Sequence, residues 1–301
     1  MLHTYDFEGA VKGPARVAFG SFDGMHLGHQ AVIRQLYGYE TLTPVVLSLY
    51  DEEAPVVYTE GEKEYLLRSS GVEVMVSVPF AQVKAMTGET FVCDVLVQKL
   101  LAKSVVVGED VRFGSDGLGT EELRALGEKY GFSVTVIPTI QLDGEAVTTA
   151  ALKKAIADGS FSRLSALLGH TYIMQGTVVH GKAAGRKHGM PTANLGVAKN
   201  KIFPPHGVYG TLSYMDGAFF RGMTNIGLRP SDDDIPIPTV ETFLLNFDRD
   251  IYDKPITLEV HAYIRGVKKF SGGLDEVRRQ IDQDIEDVRA YMDKVILDMR
   301  K

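Results

Sequence analysis

Two imidazoles three residues apart, His26 and His29, sit directly after a glycine-bearing turn, Gly20-Ser21-Phe22-Asp23-Gly24. That turn follows an apolar run, Arg16-Val17-Ala18-Phe19, and precedes a helix-like stretch, Gln30–Leu36. A turn of this kind exposes backbone N–H groups, and the helix N-terminus behind it adds partial positive charge, so polyphosphate is the natural guest. A spacing of three places both rings on one face of the first helical turn. Gly28 between them is expected to leave room for a base or sugar. Two imidazole donors at that place can stabilise charge that develops on an α-phosphate during nucleotidyl transfer, with no transition metal required. His26 and His29 are therefore the candidate catalytic pair, and Gly20, Phe22, Asp23, Gly24 and Gly28 the candidate nucleotide-binding residues.

A second constellation lies at Gly181-Lys182-Ala183-Ala184-Gly185-Arg186-Lys187-His188-Gly189-Met190-Pro191-Thr192-Ala193-Asn194. Glycines and cations together suit a loop that closes on phosphate, which marks Gly181, Lys182, Gly185 and Arg186. Thr192 and Asn194, two apart after a proline, offer two oxygens to a hard cation such as Mg2+. The stretch falls in a window without a single acid: between Asp158 and Asp216 there is no Asp or Glu, but there are Arg163, Lys182, Arg186, Lys187, Lys199 and Lys201. An anionic ligand fits that window. The net charge of −7 conceals this asymmetry, because residues 1–160 hold 13 Lys and Arg against 22 Asp and Glu, while the rest hold 19 against 17. Asp232-Asp233-Asp234 reads as a solvated hairpin loop.

Elements must carry these groups. In the first half Arg16–Phe19, Pro44–Leu49, Val72–Val78, Ser104–Gly108 and Ser133–Ile137 read as strands, mostly valine-rich with little polar alternation. Strands covered on both faces read this way. Gln30–Leu36, Glu62–Ser69, Thr90–Leu101 and Thr120–Tyr130 read as the helices between them, which predicts a parallel α/β sheet of the nucleotide-binding type. Ala150–Ala157 and Ser162–Leu168 read as two short helices that end this domain or bridge to the next. Beyond Tyr172 the texture changes: Tyr172–Val179, Gly207–Tyr214, Ala218–Asn225, Thr239–Asn246 and Ile256–Ile264 predict a small antiparallel barrel. A long helix closes the chain, with Leu274, Val277, Ile281, Ile285, Val288, Met292 and Ile296 as its buried stripe and its Asp, Glu and Arg residues in water. Two domains follow, 1–158 and 159–301, as 301 residues allow.

Hydrophobic residues make up 45% and charged residues 24%, with one cysteine, Cys93, so a disulfide framework and a multi-cysteine zinc site are excluded. The first eight residues lack the basic start and apolar run of a signal peptide, and no window approaches 18 consecutive apolar residues. A soluble cytoplasmic protein is expected, with small-molecule partners and neither nucleic acid nor membrane; oligomeric state is not legible.

The decapeptide from Gly20 to His29 resembles the ATP-binding motif of the HxGH nucleotidyltransferases, and its Phe-Asp-Gly lead-in is similar to the FMN adenylyltransferase half of bacterial bifunctional riboflavin kinase/FAD synthetases. Val107-Gly108-Glu109-Asp110-Val111-Arg112-Phe113-Gly114 resembles that family's flavin-side stretch, which implies flavin-binding roles for Asp110 and Arg112. The loop from Gly181 to Asn194 resembles the riboflavin kinase signature, and the likeness continues through Phe203–Tyr209, Asn225–Pro230 and Thr239–Leu245. The resemblance implies that Glu241 is the catalytic base of the kinase, a role consistent with a carboxylate accepting an alcohol's proton. It implies a Rossmann-like N-terminal domain, a kinase barrel, Mg2+, ATP, riboflavin, FMN and FAD. Several positions depart from the family pattern. Ser21 replaces Asn, Asp51-Glu52-Glu53 stands in the Pro-His-Pro motif, and Thr148-Thr149-Ala150-Ala151-Leu152-Lys153 stands for Ser-Ser-Thr-x-Ile-Arg. In the kinase half Phe243 replaces His and Asn246 replaces Asp. The three acids would repel triphosphate if they faced the cleft, and Lys153 offers a point charge where Arg offers a fork. The kinase is expected to be the better preserved activity. A kinase with a degenerate transferase half, or a flavin-binding regulator without turnover, remain the alternatives.

Overall fold

In a computed structural model that describes residues 1–38, 41–180, 192–229, 237–268 and 273–299, the chain divides into two units, Met1–Leu152 and Lys153–Lys301. The division falls inside a helix, Thr149–Ala157.

The first unit is built on six parallel strands: β1 (Leu2–Thr4), β2 (Ala15–Gly20), β3 (Thr43–Tyr50), β4 (Val74–Pro79), β5 (Ala102–Gly108) and β6 (Ser133–Ile137), in the order β1-β4-β3-β2-β5-β6. The five strands expected from the valine-rich runs are all present. The edge strand β1 was not foreseen, because three residues are too few to show a period. Val17, Val45, Leu47, Val76 and Val105 are all fully buried, which is why these runs lack polar alternation. The chain leaves β2 toward β3 on one side, while β5 pairs with β2 on the other. A crevice at the carboxyl ends of β2 and β5 follows from that reversal.

The helices of this unit are α1 (Leu27–Arg34), α2 (Glu60–Leu67), α3 (Gly88–Thr90) and α4 (Thr120–Tyr130). The expected helix over 90–101 differs in kind. After α3 the chain continues as a π-helical stretch, Phe91–Lys99, in which the Leu100 N–H reaches back five residues to the Val95 carbonyl at 3.0 Å. A short hairpin, β7 (Gln141–Leu142) and β8 (Glu145–Ala146), turns on Asp143 and Gly144 with φ of 55° and 81°.

The second unit begins within α5 (Thr149–Ala157), followed by α6 (Phe161–Leu168). Its strands are β9 (Tyr172–Val179), β10 (Thr192–Gly196), β11 (Gly207–Met215), β12 (Ala218–Arg229), β13 (Ile237–Leu244) and β14 (Pro255–Gly266). They close into an antiparallel barrel in the order β10-β13-β12-β11-β14-β9. The expected barrel is present, with β10 as the strand that sequence reading missed. Inside it, Thr211, Thr224 and Thr242 are fully buried and pass hydroxyl hydrogen bonds of 2.8 Å from one to the next. These three buried hydroxyls are thereby satisfied without water.

The closing helix, α7 (Gly273–Met299), lays Val288 and Met292, both fully buried, on Leu212 and Leu245 of the barrel. One expectation about this helix is overturned. Asp284 does not face water: it is 1% exposed and accepts Arg265 Nε at 2.8 and 3.0 Å and Nη2 at 2.6 Å. Helical periodicity puts Asp284 beside the stripe, and a guanidinium from β14 makes burial tolerable. Removing one partner of a buried pair strands the other charge, so Asp284→Ala is expected to cost about 3–5 kcal/mol. Urea denaturation of the full chain checks this, and a loss under about 1 kcal/mol would contradict it.

Candidate active sites

In the first unit a cleft of about 440 Å³ opens where β2 and β5 end. Gly20, Ser21, Phe22, His26, Gly28 and His29 line one wall, and Gly108, Asp110 and Arg112 the opposite one. Pro138, Thr139, Ile140 and Val147–Ala150 complete it. The two motifs, far apart in sequence, thus meet at the sheet's reversal point.

His26 is the N-cap of α1: its Nδ1 accepts the backbone N–H of His29 at 3.3 Å. A neutral ring with Nδ1 as acceptor carries its proton on Nε2, leaving Nε2–H as the donor. The rings of His26 and His29 stack with centroids 3.7 Å apart and planes 15° from parallel. Burial lowers the pKa of His26 to about 4, against an opposing pull from Asp110. His29 is likewise held well below the usual range, by burial first, then by His26 and Lys63. Both rings are neutral at pH 7 and present dipoles rather than charges to the cleft. The buried Nδ1 of His29 has no hydrogen-bond partner among the described residues.

The loop that carries them is strained. Phe22 and Met25 hold φ of 47° and 45° without being glycine, and Gln30 Nε2 donates to the Met25 carbonyl at 2.9 Å. Asp23 and Gly24 act behind this loop and do not line the cleft. The Asp23 carboxylate accepts the backbone N–H groups of Val57 and Tyr58 at 2.7 and 3.0 Å. Gly24 has φ +89°, and a Cβ there would meet Leu152 Cδ1 at 2.3 Å. Gly28 also works differently from expectation. A Cβ on Gly28 would stand 3.1 Å from the His26 ring, so the missing side chain makes room for that imidazole. Asp51, Glu52 and Glu53 do not line the cleft either; Asp51 Oδ1 accepts the N–H groups of Glu53 and Ala54 at 2.9 and 3.2 Å, which folds the segment on itself. The repulsion expected of these three acids therefore does not arise. Thr148 and Thr149 do line it, but their hydroxyls also bond backbone: Thr148 Oγ1 accepts Ala151 N–H at 3.2 Å and Thr149 Oγ1 donates to the Asp23 carbonyl at 2.9 Å.

In the barrel, strand register gathers a second group. Asn194 on β10 and Asn225 on β12 both pair with Glu241 on β13, and Thr192 pairs with Phe243. Residues opposite one another in an antiparallel pair share a face, and alternate residues along a strand return to it. Thr192, Asn194 and Glu241 therefore stand together on the outer face, while Ala193, Leu195, Val240 and Thr242 are buried within. Two neutral oxygens beside a carboxylate are hard donors that fit Mg2+. Gly181, Lys182, Gly185, Arg186 and Asp232–Asp234 lie outside the described residues.

Residues 10–151 match the family model for FAD synthetase, and residues 168–292 match that for riboflavin kinase. The chain is 31% identical over 294 residues to the bifunctional riboflavin kinase/FMN adenylyltransferase of Listeria monocytogenes, with 93% of each chain covered. This chain belongs to the bifunctional riboflavin kinase/FMN adenylyltransferase family. The Escherichia coli member is 32% identical over 290 residues, covering 91% of this chain and 92% of that one. A crystal structure described as a macrolide-efflux protein from Streptococcus pneumoniae shares the fold, with TM-score 0.82, 26% identity and coverage of 96% and 98%. No helix among the described residues is long and apolar enough to cross a membrane.

Sequence reading missed Lys63 altogether. Its side chain is buried and its Nζ donates to the Ser21 carbonyl of the nucleotide loop at 2.6 Å. The only trace in the sequence is the Glu60–Lys63 spacing at the start of α2, which ordinarily marks a surface ion pair.

Proposed function

We propose that this chain phosphorylates riboflavin to FMN in its C-terminal domain, residues 159–301, and adenylylates FMN to FAD in its N-terminal domain, residues 1–158, with ATP as the second substrate of both. The observation that carries this reading is the coexistence of both sites in one chain of this family: paired neutral histidines at a helix N-terminus, and a carboxylate beside two oxygen donors on the barrel.

For adenylyl transfer, an oxygen of the FMN phosphate attacks the α-phosphate of ATP and pyrophosphate leaves. His26 donates from Nε2, His29 donates beside it, and the first N–H groups of α1 add partial positive charge, so the negative charge that develops is met by fixed dipoles. Gly20, Phe22 and Gly28 shape the wall against the nucleotide, with Asp23 and Gly24 setting the loop, and Asp110 and Arg112 face the flavin. For the kinase, Glu241 accepts the proton of the ribityl 5′-hydroxyl as that oxygen attacks the γ-phosphate. Gly181, Lys182, Gly185 and Arg186 hold ATP phosphates, and Thr192 and Asn194 hold Mg2+. When bound by these residues, Mg2+ would supply positive charge beside the phosphates. The cytoplasm is the proposed location.

A chromatographic time course with riboflavin, ATP and Mg2+ tests both domains at once. FMN should rise first and FAD should follow at its expense. FMN that accumulates without FAD would leave a kinase alone, and flavin binding with no ATP consumed would leave a regulator.

A further inference from the structure

Lys63 is 2% exposed, and burying an ammonium group is costly unless every N–H finds an acceptor. All three do. Nζ donates to the Ser21 carbonyl at 2.6 Å, to Ser48 Oγ at 3.2 Å and to Glu60 Oε1 at 2.6 Å. The other Glu60 oxygen accepts Ser77 Oγ at 2.5 Å, and Ser77 in turn meets His3 Nε2 at 2.9 Å. The chain of bonds thus runs from the sheet's edge to the wall of the nucleotide cleft.

We propose that Lys63 is a positioning residue for adenylyl transfer, which pins the Ser21 carbonyl of the nucleotide loop and holds a fixed positive charge within electrostatic reach of His29. This rests on the adenylyltransferase reading of the N-terminal domain. Stability alone does not account for such a lysine, since a buried ion pair replaced by apolar groups of similar volume is often no less stable. What an apolar residue could not supply is a donor to the loop carbonyl. Ser21 stands immediately before Phe22 at φ 47°, a conformation that persists only while its surroundings over-determine it.

The charge has a second effect. His29 packs against His26 and Phe22 on its own segment and feels the charge of Lys63 on α2; Asp110, across the cleft, acts on His26, and Glu60 is bonded to Lys63. A positive neighbour disfavours imidazolium, so Lys63 helps to keep His29 neutral. A charged His29 would hold the triphosphate of ATP and the leaving pyrophosphate tightly, which is uniform binding; a neutral donor responds to charge as it develops.

The experiment compares the full-length wild type with Lys63→Met, measuring FMN-to-FAD conversion across pH and riboflavin phosphorylation as the control. Lys63→Met is expected to lower kcat for FAD formation about 100-fold, as a misplaced reacting group does. Phosphorylation should stay within about twofold, and the acid limb of the FAD-forming profile should move to higher pH. An unchanged kcat overturns the proposal, and so does a lower kcat with an unmoved limb, the signature of a scaffold residue. Should Lys63→Met fail to fold, Glu60→Gln decides: it removes the counter-charge and keeps the lysine, so the limb should move to lower pH, and an unmoved limb overturns the proposal. A wild type that makes FMN but no FAD defeats the adenylyltransferase reading itself, whereas a wild type that makes FAD beside an indifferent Lys63→Met defeats this inference alone.

Discussion

Glu241→Gln is expected to lower riboflavin phosphorylation by about 10²–10⁴-fold while FMN-to-FAD conversion by the same protein continues unchanged. The substitution keeps the size and hydrogen-bonding reach of the side chain and removes its ability to take a proton. Glu241 lies on the outer face of a barrel strand between Asn194 and Asn225, so the backbone ladder that places it does not depend on its charge. The loss should fall on kcat, because proton acceptance is needed only as the alcohol attacks. Steady-state kinetics with riboflavin and ATP measure it. A rate within about threefold of wild type would remove Glu241 from the role of base.

His26→Asn should produce the opposite pattern: FAD formation falls by about 10²–10³-fold and phosphorylation is spared. Asparagine is a good N-cap, so it can still accept the His29 N–H, and α1 is retained. It is too short to reproduce the Nε2–H donor. The histidine's pKa of about 4 gives the companion expectation for the wild type, since protonation of His26 sets in only as pH falls to that value. The FAD-forming rate should therefore carry no limb from this residue between pH 5 and pH 8. An acid limb there that disappears in His26→Asn would contradict the neutral assignment.

The sheet was legible because β2, β3, β4 and β5 are buried on both faces and their valines need no partner to be recognised, while the half-buried edge strand β6 keeps the same β-branched run. The barrel was legible from its turns and alternating runs. What escaped has a common physical origin. The edge strand β1 and the strand β10 are short and take their stability from neighbours in the ladder, so nothing in their own composition announces them. Asp284 escaped because its burial depends on Arg265, nineteen positions away in sequence. Lys63 escaped for the same reason: its acceptors Ser21 and Ser48 belong to other elements.

Residue types and their spacing alone set which chemical groups this protein has and in what order. A glycine turn with two histidines three apart marks a helix N-terminus with donors, and an acid-free, glycine-rich window that includes Thr192 and Asn194 gathers cations and oxygen donors. These are local properties, set by backbone conformation and side-chain chemistry within a dozen residues. Tertiary structure decided what each group faces. It turned Asp23 inward to hold Val57 and Tyr58, gave the space at Gly28 to an imidazole, folded Asp51 onto its own turn, and left both histidines neutral. Burial and neighbouring charge fix a protonation state, and both arise only when distant segments pack together.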